Sequence, residues 1–303
     1  MRRPIMVVVS LVLLAAGFAP VAAQDASPAS SGSLLAALGY PELRVVVADN
    51  GAEVPTEAAA GRYLVVLENG SAGEVDISFI KTPEGETLAS LMATPSAEGE
   101  EEGPPAWLYE TEIAGGVVAP AGGVGRVVVD LTAGEWFVDV FRQSEEEGEA
   151  EGEAQPLTLM VTGDAASPTE EPAGAIAVEM QDFAFGMPAQ LPAGPQVWQV
   201  TNTGEQPHFI LLVKGPDDLT MDDVMAILAA EATGGTPPAG VPNPETDFAD
   251  IGETSLLSAG KSMWLEFDLA PGTYVALCFF PDPETRMPHA ALGMVQLFTV
   301  PAA

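Results

Sequence analysis

Residues 55–93 lie over residues 188–226 without a gap, at an offset of 133. Pro55, Ala60, Gly61, Asn69, Ile77, Lys81, Pro83, Thr87, Met92 and Ala93 meet identical residues there, ten identities in 39 positions. After an insertion of five residues the offset is 138, and Ala121-Gly122, Asp130-Leu131 and Gly134 meet Ala259-Gly260, Asp268-Leu269 and Gly272. A repeat this long means tandem domains rather than a solenoid. The 303 residues agree, since domains run to about 100–200 residues each. Gly163–Gly174, rich in Ser, Pro, Thr and Glu, separates the copies. The expected layout is a signal peptide at 1–23, a flexible leader at 24–38, a first module at 39–162, a linker at 163–174 and a second module at 175–303.

The signal-peptide expectation rests on Arg2-Arg3, the apolar run Ile5–Phe18 and the small residues Val21-Ala22-Ala23. It implies an extracytoplasmic protein, periplasmic or secreted, with no stable membrane insertion after cleavage. Within each copy, short runs such as Arg44–Ala48, Tyr63–Leu67, Arg126–Leu131, Val197–Val200, Met263–Leu269 and Tyr274–Cys278 carry the β-branched and aromatic bias of strands. Gly, Pro and Asn punctuate them as turns. In the second copy Thr220 can cap a helix over Met221–Ala232, with Asp222 and Asp223 in its first turn. Val224, Ile227 and Leu228 would face inward, with Met221 and Met225 in the same core. The equivalent helix of the first copy would start at Thr87. The expected fold is therefore all-β: two tandem Greek-key β-sandwiches, each with one short helix. Ser96–Glu102 and Ser144–Ala154 read as acidic solvated loops. Asn69-Gly70-Ser71 reads as a turn.

A net charge of −34 argues against nucleic acid or an anionic membrane as partner, since both require clustered Lys and Arg. One cysteine excludes an internal disulfide, and two histidines exclude enzymes that need several. Those three residues, His208, Cys278 and His289, all fall in the second module, with Met294 five residues beyond His289. Ends of distant strands converge at one pole of a sandwich, so the four side chains can meet there. Thiolate and thioether are soft ligands, and two imidazoles plus a thiolate with a weak axial Met form the type 1 copper set. Structural zinc rarely takes Met, and iron–sulfur clusters need more cysteines.

Pro288-His289-Ala290-Ala291-Leu292-Gly293-Met294-Val295 resembles the end of plastocyanin-type cupredoxins. Gly272-Thr273-Tyr274 leading to Cys278 resembles the strand that delivers their ligand Cys, and Pro207-His208 resembles the site of their first His. The likeness covers about residues 174–301. It implies one copper, cycling Cu(II)/Cu(I), held by His208, Cys278, His289 and Met294. There is one departure: ten residues, Phe279–Pro288, separate Cys278 from His289, where the family usually has two to four. The first copy has Val75 opposite His208 and Val140 opposite Cys278, so it cannot form this site.

The resemblance implies an extracytoplasmic blue copper protein that carries single electrons between redox partners, of which basic ones suit its charge. It also implies that His289 shows its ring edge at the surface, rimmed by Met287, Ala290, Ala291 and Leu292. The chain is not expected to be an enzyme, because both histidines are used by one site. A copper carrier or buffer is the alternative, and an interaction module with incidental copper is a third reading.

Overall fold

The computed structural model describes residues 32–83, 85–86, 104, 106–142, 157–164 and 171–302. The strands among them fall into two sets. The first comprises β1 (Glu42–Ala48), β2 (Gly51–Glu53), β3 (Glu57–Ala59), β4 (Gly61–Asn69), β5 (Val75–Lys81), β6 (Ile113–Ala119), β7 (Val124–Leu131), β8 (Gly134–Arg142) and β9 (Leu157–Thr162). The second comprises β10 (Ile176–Gln181), β11 (Ala184–Gly186), β12 (Gly194–Asn202), β13 (Leu211–Gly215), β14 (Ala249–Glu253), β15 (Ser262–Leu269), β16 (Gly272–Leu277) and β17 (Val295–Val300). The architecture is all-β, two sandwiches with short helices in the connections.

The repeat holds down to hydrogen-bond register. Lys81 pairs with Trp136 across β5 and β8 as Lys214 pairs with Tyr274 across β13 and β16. Gly61 pairs with Leu131 as Gly194 pairs with Leu269. Each lysine ammonium lies over its partner ring, at 5.8 Å from Trp136 and 5.9 Å from Tyr274. Trp136 donates to the Thr132 carbonyl, and Tyr274 donates to its counterpart, Ala270. Asn69 and Asn202 are both buried with their amides bonded to backbone, which agrees with the turn reading of Asn69-Gly70-Ser71.

The two sandwiches share one sheet. Its strand order is β11-β10-β12-β15-β7-β4-β1-β2, and its inner face is covered over the first-copy half by β3-β9-β8-β5-β6 and over the second-copy half by β14-β13-β16-β17. The junction is the antiparallel pair β7·β15, in which Val127 faces Leu265. These two are counterparts at the repeat offset of 138, so the copies meet about a pseudo-twofold axis, as in an isologous dimer. The Arg62 guanidinium pairs with Asp130 and lies 4.2 Å from the Trp264 ring across the junction. The outer face of the joint, with Leu64, Val66, Val128 and Trp264, is covered by Leu35, itself fully buried in the segment read as the leader. The inner faces form one continuous core around Trp136, Trp198, Phe79 and Phe298.

The helix Met221–Glu231 starts at Thr220, where Thr220 and Asp223 make a reciprocal capping box. Val224, Ile227 and Leu228 face inward as expected. Met221 and Met225 do not: they are 37% and 41% exposed. An eleven-residue helix resting on one sheet buries only a narrow stripe. A first-copy helix appears at Ala106–Glu110, whereas the expected start at Thr87, residues 1–31 and both acidic stretches lie outside the described residues. No helix among the described residues is long and apolar enough to cross a membrane.

Candidate metal centre

His208, Cys278 and His289 meet at one pole of the second sandwich. Among the described residues they are the one group of three His, Cys, Asp or Glu side chains whose ligand atoms lie within 4.8 Å of one another. Nδ1 of His208 is 2.9 Å from Nδ1 of His289. Sγ of Cys278 is 4.0 Å from the first and 3.6 Å from the second. With bonds of about 2.0–2.3 Å, three ligands in a plane around one ion stand roughly 3.5–4 Å apart. All three side chains are 0% exposed.

The ten-residue connection from Cys278 to His289 leaves this geometry intact because it is a hairpin-like extension of the strand that leads to Cys278. Ala290 donates to the Cys278 carbonyl at 2.6 Å and His289 to the Phe280 carbonyl at 2.9 Å. A bridge between Pro281 and Pro288 closes the neck of the loop. Its tip is fixed by Asp282, whose carboxylate accepts from the Thr285 backbone and hydroxyl, both at 2.7 Å. After His289 the chain makes one 3-10 turn, His289–Leu292, and reverses at Gly293, φ 118°, where a side chain would be strained. That reversal brings Met294, buried, back beside the site: its carbonyl accepts from Cys278 and its N–H donates to the His289 carbonyl.

The outward nitrogens are held just as firmly. Nε2 of His208 lies 2.9 Å from the Asp182 carboxylate. Asp182 is held below the ordinary carboxylate range, its burial outweighed by N–H donors from Glu205 and Gln206 and by His208, so it is an acceptor. Nε2 of His289 lies 2.9 Å from Oε1 of Gln206, whose amide nitrogen donates to Asp282 at 2.9 Å. Both Nε2 atoms therefore carry the hydrogen. Burial lowers both histidines, His289 to about 4 with the neighbouring His208 adding to it, so both rings are neutral. Two bare Nδ1 lone pairs then point at one another. Among the described residues only the Cys278 proton can offset that repulsion, and burial pushes the Cys278 thiol up to about 12. Both imidazoles and the Cys278 sulfur, as thiolate, would be satisfied by holding one cation between them. The donor set fits a soft metal.

Asp182, Gln206, Asp282 and Phe183 escaped the sequence reading. Phe183 caps the site, its ring 5.4 Å from that of His289. It sits at φ 64° in the β10–β11 turn, a conformation that costs about 1–2 kcal/mol for a non-glycine residue. Extending the repeat back to Asp49 and Asp182 would have found one of the four. His289 itself is buried under Phe183, Phe280 and Gln206, not presented at the surface. Of the expected rim, Ala290 is buried, while Ala291 and Leu292 are half-buried and Met287 is exposed. The lengthened loop accounts for the change, since it packs Phe280 on the ring and places Asp282 where it holds Gln206 against His289.

Paired sandwiches with a buried His–Cys–His cluster at one pole make the chain cupredoxin-like, and the cluster fits a type 1 copper site. No protein-family model and no curated protein matches the chain. Among solved structures it is similar to an auracyanin from Roseiflexus castenholzii, with 28% identity over 43% of this chain and 98% of that one, at a TM-score of 0.29. Auracyanin A from Chloroflexus aurantiacus, described as a "blue" copper protein, is 22% identical over 42% of this chain and 97% of that one, at a TM-score of 0.25. A multicopper oxidase from Campylobacter jejuni is 10% identical over 90% of this chain and 66% of that one, at a TM-score of 0.26.

Proposed function

We propose that the chain is an extracytoplasmic type 1 copper protein that carries single electrons between redox partners. His208, Cys278, His289 and Met294 would hold one copper. The observation that carries this reading is the pair of histidine Nδ1 atoms 2.9 Å apart beside the only cysteine, with each Nε2 2.9 Å from an acceptor oxygen of Asp182 or Gln206. The bound copper supplies one-electron exchange. The protein's part is to fix all donors beforehand, so that little has to move between oxidation states. Three ligands at 0% exposure suit an electron better than a metal ion as cargo, which favours a carrier of electrons over a copper chaperone. Phe183, half-buried against His289, offers one side on which a docked partner would come close to the ring.

We read the protein as a carrier and not an enzyme, because the only two histidines of the chain are committed to one site. The acidic surface would speed encounter with a basic partner at low salt. The location rests on the basic, apolar and small-residue order of residues 1–23. Addition of Cu(II) to the metal-free protein should give an intense visible thiolate-to-copper band with narrow copper hyperfine splitting. Cys278→Ser should remove the band. A colourless complex, or a band that survives that substitution, overturns the assignment.

A further inference from the structure

One short stretch of the metal-free sandwich reaches the supports of both histidines. Tyr109, near the end of its helix, donates its hydroxyl to the Pro281 carbonyl in the inserted loop, at 2.9 Å. Its ring packs on Phe280, centroids 5.2 Å apart, and Phe280 packs on His289 at 5.9 Å. The Phe280 carbonyl also receives the His289 backbone N–H. Four residues on, Ile113 donates to the Ser258 hydroxyl at 2.9 Å and accepts from the Ser258 backbone at 3.1 Å. That hydroxyl donates to the Thr111 carbonyl. Leu257, next along, pairs with His208 in both directions, at 2.9 and 3.2 Å. Residues 109–113 thus back 257–258 behind one imidazole and 280–281 behind the other.

We propose that the metal-free sandwich is a positioning element for the metal centre, and that Tyr109 is its positioning residue for His289. The insertion makes this possible. With a short Cys-to-His connection there would be no Phe280 and Pro281 standing out from the second sandwich for Tyr109 to grip. The first copy, without ligands of its own, then serves as a second wall that stops the long ligand loop from drifting. A group that orients a ligand from behind alters metal affinity by about 10–100-fold when removed.

The inference rests on the copper reading, so its test has a metal-free arm. In the full chain, Tyr109→Ala and Tyr109→Phe are compared with Tyr63→Phe, which removes a distant hydroxyl of the same sandwich. In metal-free protein, amide exchange at Arg286 and His289 should rise about tenfold in Tyr109→Ala, with exchange in β12·β15 unchanged. Tyr109→Phe keeps the ring and loses one hydrogen bond, so a rise of about threefold is expected. With Cu(II) added, Tyr109→Ala should broaden the copper hyperfine pattern, shift the reduction potential and weaken retention about tenfold. Tyr109→Phe should restore most of that, and Tyr63→Phe should change nothing. Unchanged exchange at Arg286 and His289 in a folded Tyr109→Ala overturns the proposal. Should that variant not fold, unchanged exchange in Tyr109→Phe overturns it. A wild-type protein without the visible band sinks the copper reading, while the exchange arm still decides whether Tyr109 holds the loop.

Discussion

The two sandwiches share register, turn chemistry and lysine–ring pairs, yet among the described residues only the second gathers a His–Cys–His cluster. Where the second has His208 and Cys278, the first has Val75 and Val140, both buried. Even the carboxylate behind His208 has a counterpart. Asp182 accepts from the Glu205 N–H as Asp49 accepts from the Ala72 N–H, both pairs related by the offset of 133. The tie between the two turns therefore belongs to the scaffold, and the imidazole contact is added to it. A metal centre in this fold needs few changes: two ligands on existing strand ends, a His–Met loop, and room for the carboxylate to reach the ring.

The harshest way to break the contrast is to make the second copy read like the first. Cys278→Val puts the first copy's residue into a fully buried position. The visible copper band should vanish entirely. Stability of the metal-free protein should change by less than about 1.5 kcal/mol, since the replacement is apolar and close in size. A denaturation midpoint near wild type together with a colourless Cu(II) titration is the expected pair of results. Retention of the band would remove Cys278 from the site.

A milder probe compares the two aspartates. Asp182→Asn weakens the acceptor that fixes the His208 tautomer and should lower copper affinity by about 10–100-fold. Asp49→Asn disturbs the same turn in a copy without imidazole and should leave copper affinity unchanged. Equal effects would mean that the turn, and not the ring contact, is what matters. Gly204 sharpens this further. A Cβ there would stand 2.4 Å from Oδ1 of Asp182 and 2.9 Å from Nε2 of His208. The first copy has Ser71 at the counterpart position, where its hydroxyl donates to Asn69 at 2.6 Å. Gly204→Ala should push carboxylate and ring apart and cost about tenfold in affinity, toward the low end of such losses. Competition with a chelator of known affinity measures it.

Much of this was legible in the residues, and what was not has a physical cause. The repeat, the strands and the Thr220 cap are local signals, set by alternation, turn residues and hydrogen bonding within a few positions. The His–Cys–His gathering was legible because each residue type is so scarce that chemistry alone restricts what they can do. Burial of His289 was not legible: the family resemblance implied an exposed ring, and only the folded course of Phe279–Pro288 shows that the loop turns back over it. Asp282 reaches His289 through Gln206, two contacts across 83 and 76 residues of sequence, which no periodicity records. The β7·β15 joint escaped for the same reason. A strand's sequence shows which face is buried, not which edge finds a partner.

The smallest expected effect tests how the two copies are joined. Half-buried carboxylates line their contact: Asp76 and Asp139 in the first copy, Glu253 in the second. Ser255 donates to Asp76 at 2.5 Å across the interface. Burial, with repulsion between neighbouring carboxylates, raises Asp76 to about 7 and Glu253 to about 8 and also raises Glu74, and burial alone raises Asp139 to about 6. A carboxyl raised on folding binds its proton more tightly in the folded chain. Its stabilising effect is full below the unfolded value near 4 and is lost as pH rises through the folded value. Stability should therefore decline between about pH 4 and pH 8. Glu112, Asp182 and Asp282 are lowered and pull the other way below that window, and His208 and His289, lowered too, pull the other way inside its lower part, but the four raised carboxyls outnumber the two histidines. Urea unfolding of metal-free protein at about pH 5 and about pH 8 should show a lower midpoint at the higher pH, and Asp76→Asn should shrink the difference. Copper affinity in that variant should stay within about threefold, less than the loss expected for Asp182→Asn, because the carboxylates touch the joint and not the outer nitrogens. A midpoint that rises toward the higher pH would mean that these carboxylates are paired or hydrated, and that the junction is held by β7·β15 and its apolar faces alone.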